Sequence, residues 1–585
     1  LHEEKQMPEF DLVVRGGRVV DGSGRPERTA DVAVTDGVVV EIGQVSGVGR
    51  HEISADGALV APGWVDVHTH YDGQATWDER IAPSSWHGVT TAVMGNCGVG
   101  FAPVRDEDHD RLIEIMEGVE DIPGTALHEG LPWTWNSFGQ YLDALDFPHD
   151  IDIATYVPHD PLRLYVMGER GAQREPATAD DIRRMGEIAR RGIELGAIGF
   201  STDRIEIHRT SRGEHTPAYG AAPEECIGIA AALKDGHGGV LHTVSDFEDL
   251  ESEFDMLRTM VERSGMALSF TLVDRTDGDQ QRLRRLLARI EEAHADGVPV
   301  FGQVAPRAIG FLFGLQCTLH PFVNNPVFKE ISGLLPAEQA ARMRDGEFRA
   351  RLLSAASDEH TDHRVGAHRL SSWQQMYELA DPPNYAPDLS LNFAAVAARR
   401  GCSPEEVAYD VLVKDGGQGM IYVPSVNYRD GKLDAVREML VHPFTLPGLS
   451  DGGAHVGTIC DASFPTTLLQ YWGRDRGEDR LDVPAIVKRQ CRDTAAFVGL
   501  ADRGLLAPGY RADLNVIDFE ALSARRPEVH YDLPAGGRRL LQRADGYLHT
   551  IVAGRSVYES GEPTGELPGR LVRGRQAGPA TAMTT

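Results

Sequence analysis

The sequence predicts an α/β protein: a (β/α)8 TIM barrel whose two flanking segments combine into a small β-sandwich domain. Three observations predict it. Eight apolar, β-branched runs alternate with helical patterns through the middle of the 585-residue chain, the rhythm of a barrel. Both ends are rich in short alternating strands instead. The apolar runs also end repeatedly in His, Cys or Asp, where the mouth of a barrel would lie.

In chain order, "LHEEKQ" before Met7 reads as a loose segment, and residues 8–62 as the first part of the sandwich. There "ADVAVTDGVVVEIG" alternates around Asp36-Gly37, a dipeptide suited to a tight hairpin. Residues 63–499 carry the barrel, with strands expected at 63–70, 89–97, 151–159, 197–202, 239–246, 267–274, 298–306 and 444–451. Between them, Thr178 and Asp181 have capping-box spacing ahead of a periodic run ending at Ile193. Ser403, Pro404 and Glu406 mark another helix start. The long gap after the seventh strand predicts an insert over the mouth at about 307–380. "RADLNVIDF" and "YLHTIVAGRSVYESG" place the second part of the sandwich at 500–565, leaving 566–585 as a tail.

Composition narrows the function classes. The 41% hydrophobic and 25% charged fractions suit a globular chain. A formal net charge of −30 disfavours nucleic acid and anionic membrane as partners. No apolar run approaches the ~18 residues of a membrane span, and no signal peptide is evident, so a cytoplasmic location is expected. A homo-oligomer is compatible with all of this. Six scattered cysteines without a CxxC pair argue against a disulfide scaffold or a thiolate zinc finger.

The chemistry concentrates at strand ends. His68 and His70 stand two residues apart, so both face one side of a strand and suit a shared Zn²⁺. Alone, such a pair is more often incidental; its place on the first barrel strand and the other ligand types favour ligation. Cys97, between glycines in "MGNCGVGFAP", offers a thiolate that could bridge two cations, or else is a buried inert cysteine. His242 lies within the fifth strand. Asp451, in "LPGLSDGGAH", can ligate a metal and take a proton from activated water, or is simply a turn residue before two glycines.

Together these stretches resemble the amidohydrolase superfamily, and within it the N-acyl-D-amino-acid deacylase family. The likeness runs through "APGWVDVHTHYD", "GVTTAVMGNCGVGFAPV", "LIEIMEGVEDIPGTAL", "YVPHDPLRLYVMG", "LGAIGFST", "LSDGGAHVG" and "RGLLAPGYRADLNVID", in order across most of residues 10–560. It implies the barrel, the β-sandwich, one or two zinc ions and hydrolysis of the amide of N-acyl amino acids. It implies His68, His70, Cys97, His242 and Asp451 as metal ligands, with Asp451 also the catalytic base and Cys97 in the bridging role that a carboxylated lysine fills in many relatives. His159 and Arg163 would support, and His455 would steady the base.

One departure stands out. The family's sixth strand carries a histidine followed by a lysine for the substrate carboxylate; here "ALSFTLVDRTDG" has neither, and an ungapped placement puts Leu272 and Asp274 at those positions. One tightly bound Zn²⁺ is therefore favoured, with a second ion allowed. Arg204, His208 and Arg307 follow barrel strands and are the replacement candidates for holding substrate. The expected function is metal-dependent hydrolysis of a small-molecule amide, with N-acyl-D-amino acids first. Cyclic amides, imides or carbamates are the alternative on the same scaffold, and a non-catalytic barrel is the remaining one.

Overall fold

The computed structural model describes residues 7–234, 238–276, 278, 279, 281–358 and 364–579. The segment expected to be loose at 1–6, and residues 580–585 of the expected tail, lie outside the described residues.

Strands from both ends of the chain share one nine-stranded sheet. Leu59–Pro62 pairs antiparallel with Leu514–Ile517, Val60 facing Val516, which ties the two ends together. Phe10–Val19 lies at the centre and pairs with Gly49–Ser54 along its first half and Leu59–Pro62 along its second. Hydrogen bonding thus joins the strands of both ends into one continuous sheet. Its core is the inward half of the alternating pattern, including Val14, Val32, Val34, Val60, Leu514 and Val516. The hairpin at Asp36-Gly37 forms, with φ of 52° and 72° at the two turn residues, the left-handed pair that matches strand twist.

All eight strands expected in the middle are present and parallel. They are β1 (Trp64–Asp66), β2 (Val89–Met94), β3 (Asp152–Thr155), β4 (Gly199–Arg204), β5 (Val240–Ser245), β6 (Ala267–Thr271), β7 (Val300–Val304) and β8 (Thr445–Pro447). They fall into two arcs. β1, β2 and β3 form one, and β4 to β8, with Val157–Pro158 at the edge, form the other. The arcs touch at both ends: Ile198 N–H donates to the Thr155 carbonyl at 2.9 Å, and His70 N–H to the Gly452 carbonyl at 2.7 Å. The capping boxes read from sequence are present, Thr178 heading helix Ala179–Leu195 and Ser403 heading helix Pro404–Leu412.

Two boundaries differ from expectation. The insert reaches Val426, because Ile309–Phe313 pairs antiparallel with Ile421–Val426 and encloses a core of its own that includes Phe313, Phe348 and Leu412. The segment from 566 to 579 is no loose tail: Leu571 bridges Ile153 of β3, Gln576 bridges Leu500, and Leu571 and Val572 are buried. Apolar residues beside an unpaired strand edge account for that docking. No helix among the described residues is long and apolar enough to cross a membrane.

The terminal sheet meets β3 through buried charge. Arg503 donates to Asp152 at 2.6 Å and to the Thr91 hydroxyl at 2.8 Å, while Arg511 reaches the other Asp152 oxygen at 3.0 Å. Removing one member of such a pair strands the other in a low dielectric. Arg503→Ala is therefore expected to destabilise the protein by about 3–5 kcal/mol, read as a lower urea midpoint; an unchanged midpoint would refute the coupling.

Candidate metal centre

β1 ends at Asp66, and the chain stays extended beyond it, held to the loop after β8 by the His70–Gly452 bond and by Asp451 N–H donating to the His68 carbonyl at 3.2 Å. His68 and His70 therefore project to the same side, with ring centroids 5.4 Å apart. Cys97 arrives from a turn after β2 in which Gly95, Cys97 and Gly98 all have positive φ. Only glycine fits position 98, where a Cβ would stand 2.7 Å from the Asp203 backbone nitrogen. Asp451 is also left-handed, with φ of 47°, a conformation that costs a non-glycine residue about 1–2 kcal/mol and that persists where its surroundings impose it.

These turns bring four donors together. His68 Nε2 lies 3.3 Å from Cys97 Sγ and 3.2 Å from Asp451 Oδ1, and His70 Nε2 lies 3.8 Å from that same oxygen. Ligand atoms of His68, His70 and Cys97 are mutually within 4.8 Å, and all three side chains are buried. Two imidazoles, a thiol and a carboxylate form a donor set that fits zinc.

His242 on β5 completes the cluster. Its ring centroid is 4.9 Å from that of His68, and its Nε2 is buried with no hydrogen-bond partner among the described residues. Its Nδ1 stands 3.2 Å from Ser269 Oγ on β6. Gln303 on β7 ties the two histidines together: its amide donates to Ser269 Oγ at 2.9 Å, and its Oε1 accepts from His68 Nδ1 at 2.7 Å. The proton of His68 is thereby held on Nδ1, and its Nε2 lone pair turns toward Cys97 and Asp451.

Glu120, which sequence reasoning missed, does the corresponding work for His70. It ends helix His109–Glu120, is 1% exposed, and places Oε1 3.1 Å from His70 Nδ1 and Oε2 3.7 Å from His455 Nε2. A carboxylate on the far nitrogen is the usual support for a ligating histidine. The available signal was an acid in the last turn of an amphipathic helix, where the helix dipole disfavours it. Gln303 had a signal too, as a polar residue inside the apolar run "VPVFGQVAP".

Burial dominates the electrostatics. It pushes the His68 imidazole down to about 4 and those of His70 and His242 well below their usual range. It pushes the Asp451 and Glu120 carboxyls up, helped at Asp451 by Asp461 and Asp66 and at Glu120 by Asp451, Asp72 and Asp203. The Cys97 thiol is raised by burial and then by the carboxylates of Asp451, Glu120, Asp203 and Asp72. A cation entering this cluster would reverse the shifts on the thiol and the carboxylates.

The remaining sequence candidates divide. His208 is buried and lies 3.3 Å from Asp203 Oδ2, whose backbone nitrogen packs against the Cys97 turn at Gly98, so it belongs to this end of the barrel. Arg204 was expected to hold substrate, but its guanidinium is committed to Glu253 and to the Ala221 carbonyl at 2.7 Å. Arg307 was expected likewise, but it is wholly buried, paired with Asp461 at 2.9 Å and stacked 3.6 Å from the Tyr385 ring; it fastens the insert to the barrel. Both follow barrel strands, and chain position alone did not reveal partners supplied by distant segments. His159 and Arg163 converge on buried Glu225 at 3.2 and 2.8 Å, a supporting network. His455 stands against Glu120 at 3.7 Å. On β6, Leu272 is buried over Gly302, and Asp274 is paired with Arg429 at 3.1 Å.

Residues 51–558 match the profile described as the amidohydrolase family. The chain is 28% identical to D-aminoacylase of Alcaligenes xylosoxydans xylosoxydans, the match covering 96% of this chain and 97% of that protein. A crystal structure of D-aminoacylase superposes with a TM-score of 0.65 at 24% identity, covering 96% of this chain and all of that one (100%). N-acyl-D-glutamate deacylase from Bordetella bronchiseptica, solved with zinc and a phosphonate inhibitor, gives 0.64 at 23% identity over 96% and 99% of the two chains. These likenesses establish a shared barrel-type fold.

Gln303→Leu, which leaves His68 Nδ1 and Ser269 without their partner, should weaken zinc binding roughly 10–100-fold in a chelator competition; wild-type affinity would refute the orienting role. Because the histidines are held neutral while burial raises the Cys97 thiol above its usual range, metal uptake should release at least the thiol proton near neutral pH. Affinity should then rise with pH. Calorimetry in buffers of different ionisation enthalpy measures this, and release of none would contradict it.

Proposed function

The chain belongs to the amidohydrolase family, and from that premise we propose that it is a metal-dependent hydrolase cleaving the amide bond of small N-acyl compounds, N-acyl-D-amino acids first among them. The observation that carries this reading is the convergence of His68, His70, Cys97 and Asp451 within hydrogen-bond or near-contact distance. We read the two parallel arcs as one (β/α)8 barrel, supported by the hydrogen bonds that join them at both ends and by the fold shared with D-aminoacylase.

His68, His70, Cys97 and Asp451 would hold one zinc ion, with His242 beside them. That reading is supported by the single cluster of three such ligands found among the described residues and by Leu272 standing where a further histidine was sought. One D-aminoacylase structure is described as having a binuclear metal centre with one-metal activation and second-metal attenuation, so a single ion here is compatible with activity and a second ion is allowed. A bound divalent ion supplies Lewis acidity toward the amide carbonyl and lowers the pKa of water.

The chain's own residues supply the remaining steps. Asp451, left-handed in the turn after β8 and 3.2 Å from His68 Nε2, takes the proton of the attacking water and returns it to the leaving nitrogen. Gln303 and Glu120 fix the two imidazoles so that the carbonyl meets preset geometry rather than mobile side chains. The buried, tightly packed cluster limits bulk water and keeps those interactions strong.

The Asp274–Arg429 pair bears on substrate choice. A carboxylate already paired with an arginine cannot bind a second carboxylate, so the position filled by lysine in the resembling family holds no substrate acid here. That observation keeps cyclic amides and carbamates as the second reading. Hydrolysis of N-acetyl-D- and N-acetyl-L-amino acids, cyclic imides and carbamates, assayed side by side, separates the two.

Asp451→Asn should lower kcat roughly 10²–10⁴-fold without unfolding the protein, and Cys97→Ala should lose bound metal on elemental analysis. Turnover that survives Asp451→Asn would remove Asp451 from the base role.

A further inference from the structure

Cys97 reaches the metal centre on a left-handed backbone, with φ of 76°, 54° and 71° at Gly95, Cys97 and Gly98. A cysteine does not favour that conformation and keeps it only where its surroundings over-determine it. Ties from the chain around β1 and β2 account for part of the constraint. The Asn96 amide donates to the Thr69 and Val93 carbonyls at 3.1 and 2.9 Å, and Gly95 N–H donates to Asp72 Oδ2 at 3.2 Å. These ties all lie on the same arc as the turn itself.

Ser201 supplies a tie from the other arc. It sits on β4, wholly buried, and its hydroxyl does two things at once. It donates to the Gly95 carbonyl and accepts from Gly98 N–H at 3.1 Å. One small side chain able to donate and accept together therefore closes both ends of the turn, with Cys97 between them. The sheet itself does not need this hydroxyl, because the β4 backbone already pairs with β5 on one side and with Val157–Pro158 on the other. Ser201 is also the register partner of His242 on β5, so the two side chains are neighbours on one face of the sheet. The clamp thus sets the level of the Cys97 thiol against His242, while His68 Nε2 stands 3.3 Å from that sulfur.

We propose that Ser201 is a positioning residue of the metal centre: its hydroxyl holds the turn that aims the Cys97 thiol at the ion, in register with His242. It acts through Cys97 and touches no reacting atom. Alanine at this position removes a partner from the buried Gly95 carbonyl and the buried Gly98 N–H together, and the left-handed cysteine is then free to relax. This rests on the metal-dependent reading above, so one arm of the test uses protein without metal.

Wild type and Ser201→Ala are compared in two arms. Loaded with Co²⁺ as the probe, wild type should show a thiolate-to-cobalt charge-transfer band. Ser201→Ala should lose most of that band per bound ion while keeping the ligand-field bands of the remaining donors, and its zinc affinity should fall roughly 10–100-fold. In the metal-free protein, labelling by iodoacetamide, read by peptide mass spectrometry, should rise at Cys97 in the variant and stay unchanged at the buried Cys226, Cys317, Cys460 and Cys491. A charge-transfer band retained in Ser201→Ala overturns the clamp. So does a parallel rise in labelling at all the buried cysteines, which is general loosening of the fold. Wild type that takes up neither cobalt nor zinc overturns the metal-dependent reading instead, and the labelling arm then decides the clamp by itself, with unchanged Cys97 labelling counting against it.

Discussion

Carboxylates buried without enough positive charge around them are the constraint on which this molecule turns. Asp451, Glu120, Asp72 and Asp203 all act on the Cys97 thiol, and each of the first three is itself pushed toward its protonated form by burial. The neighbouring imidazoles cannot offset them, because the same burial keeps His68, His70 and His242 neutral. Such a cluster either stays protonated or takes up a cation. The glycine that lets the Cys97 turn press against the Asp203 backbone, and the left-handed backbone at Cys97 and Asp451, are local costs that serve this convergence.

The departure on the sixth strand is a reorganisation. Where a histidine was sought, Leu272 packs over Gly302, while Ser269 on the same strand takes a different part. Through Ser269 and Gln303, strands β5, β6 and β7 hold His242 and His68 in one hydrogen-bonded chain. At the position expected to carry a lysine, Asp274 faces Arg429. The centre retains its ligands from β1 and from the turns after β2 and β8, and the surrounding polar residues orient them.

Residue type and period were enough for the eight parallel strands, the Asp36-Gly37 hairpin and both capping boxes, because each depends on neighbours a few residues away. His68, His70, Cys97 and Asp451 were legible because polar residues ending apolar runs stand out. Glu120 and Gln303 were hidden by ordinary surroundings, an acidic helix end and an apolar strand. Arg204 and Arg307 misled for the opposite reason: their position after barrel strands was right for a site, but Glu253 and Asp461 engage them from remote segments.

Local pattern, then, was sufficient for element identity, the mixed architecture and the four donors that converge, since strand alternation and turn chemistry are short-range. Long-range contact settled everything that depends on which partner a charge meets. It carried the insert to Val426, docked the segment around Leu571 along β3, assigned Glu120 to His70 and committed both candidate arginines to structure. Coulombic and hydrogen-bond energies depend on distances between groups hundreds of residues apart, and the chain acquires those distances only when it folds.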